Sequence, residues 1–382
     1  MNPRTSILAT DDLPEHAMND HDAVSLLERL VTIPSVSRNE RRAAQFLADE
    51  LGQRGARSFI DDAGSAVGVF GEGDGTRDVV LLGHIDTVPG EIPVRIENGE
   101  LWGRGAVDAK GPLAAFAAAA SRVRVPDGSR LIVIGAVEEE VATSKGARHA
   151  STQYAPRACV IGEPSAWDSV TIGYKGRLLA EVRVEAPCAH PAGPTPSAGE
   201  IAADLWIATR AFADEFNKDR TGPFTQLQAA LRDIRTASDG LTQTAAMTLG
   251  FRLPPNLTPE SVESFILARA AVLDAAVEFR GREIAHVEPR TSPVARTLVN
   301  AIRTAGGSPS LKMKTGTADM NVVAPVWKCP IVAYGPGDSS LDHTPVERLD
   351  LDEYLRSIGI LENALTRLFE QLPDLPGPAR AG

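Results

Sequence analysis

Four short apolar runs, each closing on a residue able to hold a metal ion, dominate the hydrophobic pattern of this chain. Asp78-Val79-Val80-Leu81-Leu82-Gly83 leads into His84-Ile85-Asp86, and Leu131-Ile132-Val133-Ile134-Gly135-Ala136-Val137 leads into Glu138-Glu139-Glu140. Ala158-Cys159-Val160-Ile161-Gly162 leads into Glu163, and Pro330-Ile331-Val332-Ala333-Tyr334 is followed within a short loop by Asp342-His343. Runs this short and this rich in β-branched residues read as strands buried on both faces of a sheet. In open α/β sheets, ligands bind outside the carboxyl ends of the strands. The pattern therefore predicts two His and several carboxylates gathered at one edge of one sheet.

Between these runs the periodicity turns helical. Asp22 to Val31 carries apolar residues at helical spacing, and Ser37-Arg38-Asn39-Glu40 reads as a capping box opening a second helix. Gly71-Glu72-Gly73-Asp74-Gly75 precedes a strand where a dinucleotide fingerprint would follow one, so it reads as a plain hairpin turn. An alanine-rich helix spans Leu113 to Ser121, with Pro112 in its first turn. Character changes near Ser169: Tyr174 to Glu185 alternates like a half-exposed strand, and Glu200 to Phe216 is an amphipathic helix. Thr244 to Leu253 reads as a strand, Pro259 to Leu273 as a helix, and Ala275 to Val287 as a last strand. That strand–helix–strand–helix–strand unit holds few candidate ligands and interrupts the ligand-bearing sheet. The expected layout is α/β: a disordered tail over 1–19, a larger mixed-sheet domain over 20–168 and 288–372, and a smaller inserted α/β lid over 169–287.

Length supports two domains, since 382 residues exceed the usual reach of one hydrophobic core. No apolar stretch approaches the roughly 20 residues of a membrane span, and the N-terminus lacks a basic-then-apolar signal pattern. Cys159, Cys188 and Cys329 are odd in number and widely spaced, which suits the reducing cytoplasm. A net charge of −11 argues against a nucleic-acid-binding surface.

Each ligand candidate also has an ordinary reading. His84 and Asp86 could be a polar pair at a strand end, although metal-bound His commonly hands its other N–H to such a carboxylate. Asp108 lies in the glycine-rich Gly103-Arg104-Gly105-Ala106-Val107-Asp108-Ala109-Lys110-Gly111, where it could be a helix cap. Its two oxygens could equally bridge two cations. Three adjacent glutamates repel one another unless solvated or set beside a cation, and these follow seven mostly apolar residues.

These segments, in the order His-x-Asp, Asp, Glu-Glu, Glu, His, resemble the di-zinc amidohydrolase family that contains acetylornithine deacetylase, succinyl-diaminopimelate desuccinylase, aminoacylase and glutamate carboxypeptidase. The resemblance covers nearly the whole chain after the tail and implies a zinc-peptidase-like catalytic domain with a lid that dimerises. It implies two divalent ions, zinc first and cobalt compatible with the same ligands, one held by His84, Asp108 and Glu163 and the other by Asp108, Glu140 and His343. Asp86 would orient His84, Glu139 would be the general base, and Glu138 stands where relatives often carry Asp. A cis peptide would follow the bridging residue, at Asp108-Ala109. From the lid, His190 would stabilise the oxyanion across a homodimer interface and Arg252 would contact substrate, as would Thr317 from the returning catalytic segment.

Within that family, Gly83 to Gly90, Gly103 to Pro112, Glu163 to Gly176 and Lys314 to Asn321 look like the lysine- and arginine-biosynthesis branch that acts on an amino-group carrier protein, LysW. The implied reaction releases lysine or ornithine from the C-terminal glutamate of that acidic carrier. Lys145, Arg148, Lys175, Arg177 or Lys314 could form a basic rim for it. A small-molecule deacylase of an N-acyl amino acid such as acetylornithine or acetyl-lysine is the same-class alternative, and a catalytically silent binding protein the alternative of another class.

Overall fold

All four apolar runs are strands of one sheet in the computed structural model, which describes residues 14–374. Arg130–Ala136, Asp78–His84, Ala158–Gly162 and Ile331–Ala333 lie side by side in that order, and every neighbouring pair is parallel. Apart from Arg130, every residue in them is buried, which is why they read as continuous apolar runs and not as alternating ones. Gly83 pairs with Gly135 on one side and Gly162 on the other, so three strands release the chain at one level. The sheet is mixed. Ala66–Phe70 adds antiparallel to Arg130–Ala136, and Ser169–Tyr174 meets Ile331–Ala333 antiparallel.

The helix Lys110–Arg122 is buried from Lys110 through Ser121. Its alanines let strands and helices approach from every side, the pattern of a helix enclosed in a core. The peptide bond before it, Asp108-Ala109, is cis, the isomer that the resemblance implies.

The chain divides into two units, the first comprising residues up to Gly173, Glu288–Lys312 and Ala318 onward, the second Tyr174–Val287 and Met313–Thr317. In the second, a four-stranded antiparallel sheet takes the order Gln228–Ser238, Thr242–Leu253, Gly176–Pro187, Ala275–Glu283. Alternate residues of Gly176–Pro187 are buried, beginning with Gly176, and helices Ala198–Asn217 and Pro259–Val272 contribute to that core, where Phe212 stacks on Phe265. No helix among the described residues is long and apolar enough to cross a membrane.

Several local readings change. Residues 1–13 of the expected tail lie outside the described residues, but Met18 is buried, its N–H donating to Ser121 Oγ. Gly71 to Gly75 is no hairpin, because the strands it joins flank Arg130–Ala136 and do not pair with each other. Gly71 adopts φ 78° against the 125–129 turn, where a Cβ would meet Val125 Cγ1 at 2.6 Å. The strand Gln228–Ser238 carries no strand signal in the sequence because it sits at a sheet edge, mostly exposed and without apolar alternation. Ala275 to Val287 is two strands, Ala275–Glu283 and His286–Val287. Ser37 to Glu40 does not cap the helix Arg41–Gln53; both side chains are spent on the site described next.

Candidate metal centre

The parallel strand ends bring His84, Glu139, Glu140 and Glu163 to one edge of the first unit. Asp108 and His343 reach it from loops. Asp108 Oδ1 lies 3.2 Å from His84 Nε2, and its Oδ2 lies 3.0 Å from His343 Nε2. His343 Nε2 is also 3.1 Å from Glu140 Oε1. One atom each from His84, Asp108 and Glu140 falls within 4.8 Å of the others. Glu163 is buried one residue beyond Gly162, beside Gly83 of the His84 strand, and close enough to Glu139 for their charges to interact.

The tautomer of His84 decides what can occupy this cluster. Its Nδ1 sits 3.0 Å from the Asp86 carbonyl, which can only accept, so Nδ1 carries the proton. Nε2 then presents its lone pair to the Asp108 carboxylate, a contact made favourable only by a cation between them, whether proton or metal. Electrostatics agree. Burial alone would lower the His84 pKa, but the Asp108 and Asp86 carboxylates hold it well above the usual imidazole range. Asp108 and Glu140 beside His343 raise it to about 10. Asp108 itself is held well below the carboxylate range despite its burial, because His343 and His84 hydrogen-bond to it. Two imidazoles and several carboxylates balanced for added positive charge fit a pair of divalent ions with mixed N/O ligands.

Asp86 faces His84, its Oδ1 lying 3.5 Å from the ring Nδ1, and it does more besides. Its main-chain carbonyl takes the imidazole N–H, while its fully buried carboxylate accepts the N–H groups of Glu139 at 3.0 Å and Glu140 at 3.1 Å. Ser37 Oγ donates to the same carboxylate at 2.7 Å. Glu138 stands in the left-handed region at φ 61°, a conformation costing about 1–2 kcal/mol, and this turns the chain so that two successive amides meet Asp86. Buried Glu40 secures the turn by accepting from the N–H of Arg38 and of Glu138. The Glu138 carboxylate itself takes a hydrogen bond from Thr143 Oγ1. Ser37 and Glu40 were visible in the sequence only as a helix cap, and that signal pointed elsewhere.

Burial, joined by the charges of Glu163, Asp319 and Glu140, raises the Glu139 carboxyl well above the usual range against the opposing pull of His84. A carboxylate so placed is a stronger base than one in water.

The remaining predicted site residues, His190, Arg252 and Thr317, lie in the second unit. Arg252 donates to Thr317 Oγ1 at 2.7 Å, and Thr317 Oγ1 donates to the Lys175 carbonyl at 2.9 Å. His190 is exposed in the loop after Gly176–Pro187, its Nδ1 accepting from the Ala192 N–H. The suggested basic rim loses Lys175, which is buried with its ammonium donating to the Pro223 and Gln226 carbonyls. Arg177 is paired with Glu283, and Lys145 donates to the Ala63 carbonyl.

Residues 80–367 match the model of peptidase family M20/M25/M40. A [LysW]-lysine hydrolase of Deinococcus radiodurans is 49% identical over 352 residues, which cover 91% of this chain and 97% of that protein. Among solved structures, an M20 family metallo-carboxypeptidase from Sulfolobus solfataricus superposes with a TM-score of 0.76 at 17% identity, covering 91% of this chain and 99% of that one. A dinuclear metal-binding peptidase of the M20 family from Bacillus subtilis does so with a TM-score of 0.66 at 13% identity, covering 92% and 98%.

Proposed function

This chain belongs to peptidase family M20/M25/M40, and from that premise we propose that it releases lysine from the C-terminal glutamate of the acidic carrier protein LysW by hydrolysing the joining amide. The observation that carries this reading is 49% identity to a [LysW]-lysine hydrolase along almost the full length of both proteins. Ornithine carried in the same way is the neighbouring substrate. The biosynthetic setting and the three free cysteines, two of them buried, suit the cytoplasm.

His84, Asp108 and Glu163 would hold one divalent ion, and Asp108, Glu140 and His343 the other, with zinc favoured and cobalt compatible. When bound, the pair supplies Lewis-acid polarisation of the amide carbonyl and a water of lowered pKa. Glu139 takes the proton of the attacking water and delivers it to the leaving α-amine, so that one carboxyl serves as base and then acid. Asp86 fixes the main chain of both Glu139 and Glu140, which keeps the base and a ligand in constant relation. Arg252 and Thr317, hydrogen-bonded together, suit recognition of a substrate carboxylate, since a planar guanidinium pairs well with that group.

Metal-reconstituted protein given carrier-linked lysine and N-acetylornithine side by side tests the substrate. The carrier conjugate should win in kcat/KM by more than about 100-fold, a difference of roughly 2.8 kcal/mol. Faster turnover of acetylornithine would move the protein to the small-molecule deacylases. Turnover of neither, with metal bound, would favour a silent binding protein.

The oligomer belongs to the same proposal. Gln228–Ser238 is an exposed edge strand carrying Ile234 on its surface, open to pairing with a second copy. In a homodimer joined there, His190 would stabilise the oxyanion in the partner's site. Mixing inactive His190→Ala with inactive Glu139→Gln chains should then restore activity, because one site of the mixed dimer keeps both groups. No recovery, once mixed dimers are shown to form, rules out action across the interface.

A further inference from the structure

Glu347 carries a carboxylate that has no contact with solvent. Its Oε1 accepts from the N–H of Val107 at 3.0 Å and of Asp108 at 3.1 Å, and its Oε2 accepts from Arg104 Nη1 at 2.7 Å. The Glu347 carbonyl takes the N–H of Gly103, and Arg104 Nε donates to the Gly90 carbonyl. One buried residue thus holds both ends of the glycine-rich turn that presents Asp108, Gly103 by its carbonyl and Val107 and Asp108 by its carboxylate. Gly105, at φ 84°, lets that turn close where a Cβ would meet Thr87 Cγ2 at 2.8 Å.

A carboxylate removed from water needs compensation from charge and from hydrogen bonds. The Arg104 guanidinium supplies the charge and two amides supply donors. The amides gain as well. Val107 and Asp108 precede the helix Lys110–Arg122, so no helical carbonyl receives their N–H groups.

The location of Glu347 gives the arrangement its consequence. It stands four residues after His343 on the same loop, and His343 faces the second oxygen of Asp108. The segments carrying Asp108 and His343 are about 240 positions apart in sequence, yet Glu347 ties them by main chain and side chain a few residues from the ligands. We infer that Glu347, held by Arg104, is a positioning residue that sets Asp108 and His343 at their mutual distance before any metal arrives. Its carboxylate meets Asp108 only at the main-chain N–H, so it acts on the ligands through their backbone. The inference rests on the reading of Asp108 and His343 as ligands, and does not depend on which amide is cleaved.

Zinc chloride titrated into the metal-stripped full chain, followed by calorimetry, separates positioning from plain stability. Glu347→Gln keeps the side-chain shape but loses the charge that Arg104 and both amides address. Partners of this kind typically contribute 10- to 100-fold in metal affinity, so zinc affinity should fall by about that factor. Glu50→Gln removes another buried, ion-paired carboxylate in the same unit, joined to Arg29 at 2.6 Å. It should lower the melting temperature of the metal-free protein and leave zinc affinity alone. Should Glu347→Gln fold poorly, Arg104→Gln leaves the carboxylate on its amides, and zinc affinity should still fall, by less; Arg104→Lys should recover part of the loss. If wild-type protein takes up two zinc ions and either Glu347→Gln or Arg104→Gln takes them up equally tightly, the positioning role is overturned while the metal reading stands. A wild-type chain that takes up no zinc would overturn both.

Discussion

Glu139→Gln should keep the fold and both metal ions yet lose turnover by several orders of magnitude. General-base catalysis alone contributes roughly 10²–10⁴-fold, and the amide that replaces the carboxylate can neither take a proton from water nor return one to the leaving amine. The metals should survive because Glu139 reaches the ligand framework through its main chain. Its N–H donates to Asp86, and this bond is unchanged by a substitution at the carboxyl. Glu140→Gln is the matched comparison, one residue away and anchored by the same Asp86 carboxylate. There the side chain itself faces His343, at 3.1 Å, so its neutralisation should weaken one of the two metal sites. Elemental analysis beside single-turnover kinetics reads both effects. Equal loss of metal in the two variants would show that the roles have been divided wrongly.

That two neighbouring glutamates can be told apart reflects what a sequence records well. The four parallel strands are legible because burial on both faces leaves unbroken apolar runs, and each run ends where a polar residue is tolerated only for a reason. His84, Glu139, Glu140 and Glu163 inherit their placement from those strand ends. Asp108 and His343 sit on loops: the pattern offered one as a lone carboxylate in a glycine-rich turn and the other as a residue some way past the fourth run, and the resemblance gave them their roles. The supporting groups were harder. Ser37 and Glu40 match the pattern of a helix cap, a local signal, while their observed partners Asp86, Arg38 and Glu138 lie mostly far along the chain. Glu347 had no local signal at all, because its partners are the main-chain amides of Val107 and Asp108 and a distant arginine. Hydrogen bonds to backbone amides leave no residue-type signature at their other end. The edge strand Gln228–Ser238 escaped for another reason: an exposed strand need not alternate.

Asp108→Ala should empty both metal sites, a larger loss than any other single ligand substitution. The argument is geometric. Each of its oxygens faces a different imidazole at hydrogen-bond distance, Oδ1 toward His84 and Oδ2 toward His343, so it reaches both halves of the cluster directly. Removing it also leaves His84 Nε2 without the carboxylate that favours a cation there, while His343 retains Glu140 alone. His343→Ala makes the contrast, since it strips a ligand from one half and leaves His84, Asp108 and Glu163 in place. Zinc-reconstituted wild-type protein should approach two equivalents, His343→Ala about one, and Asp108→Ala close to none, with activity lost in both variants. One retained equivalent in Asp108→Ala would mean that its two oxygens serve the same ion and that the sites do not share it. The melting temperature measured with and without zinc gives an independent reading, because an ion that binds only the folded chain raises it. Zinc should raise it most in wild type, less in His343→Ala and not at all in Asp108→Ala.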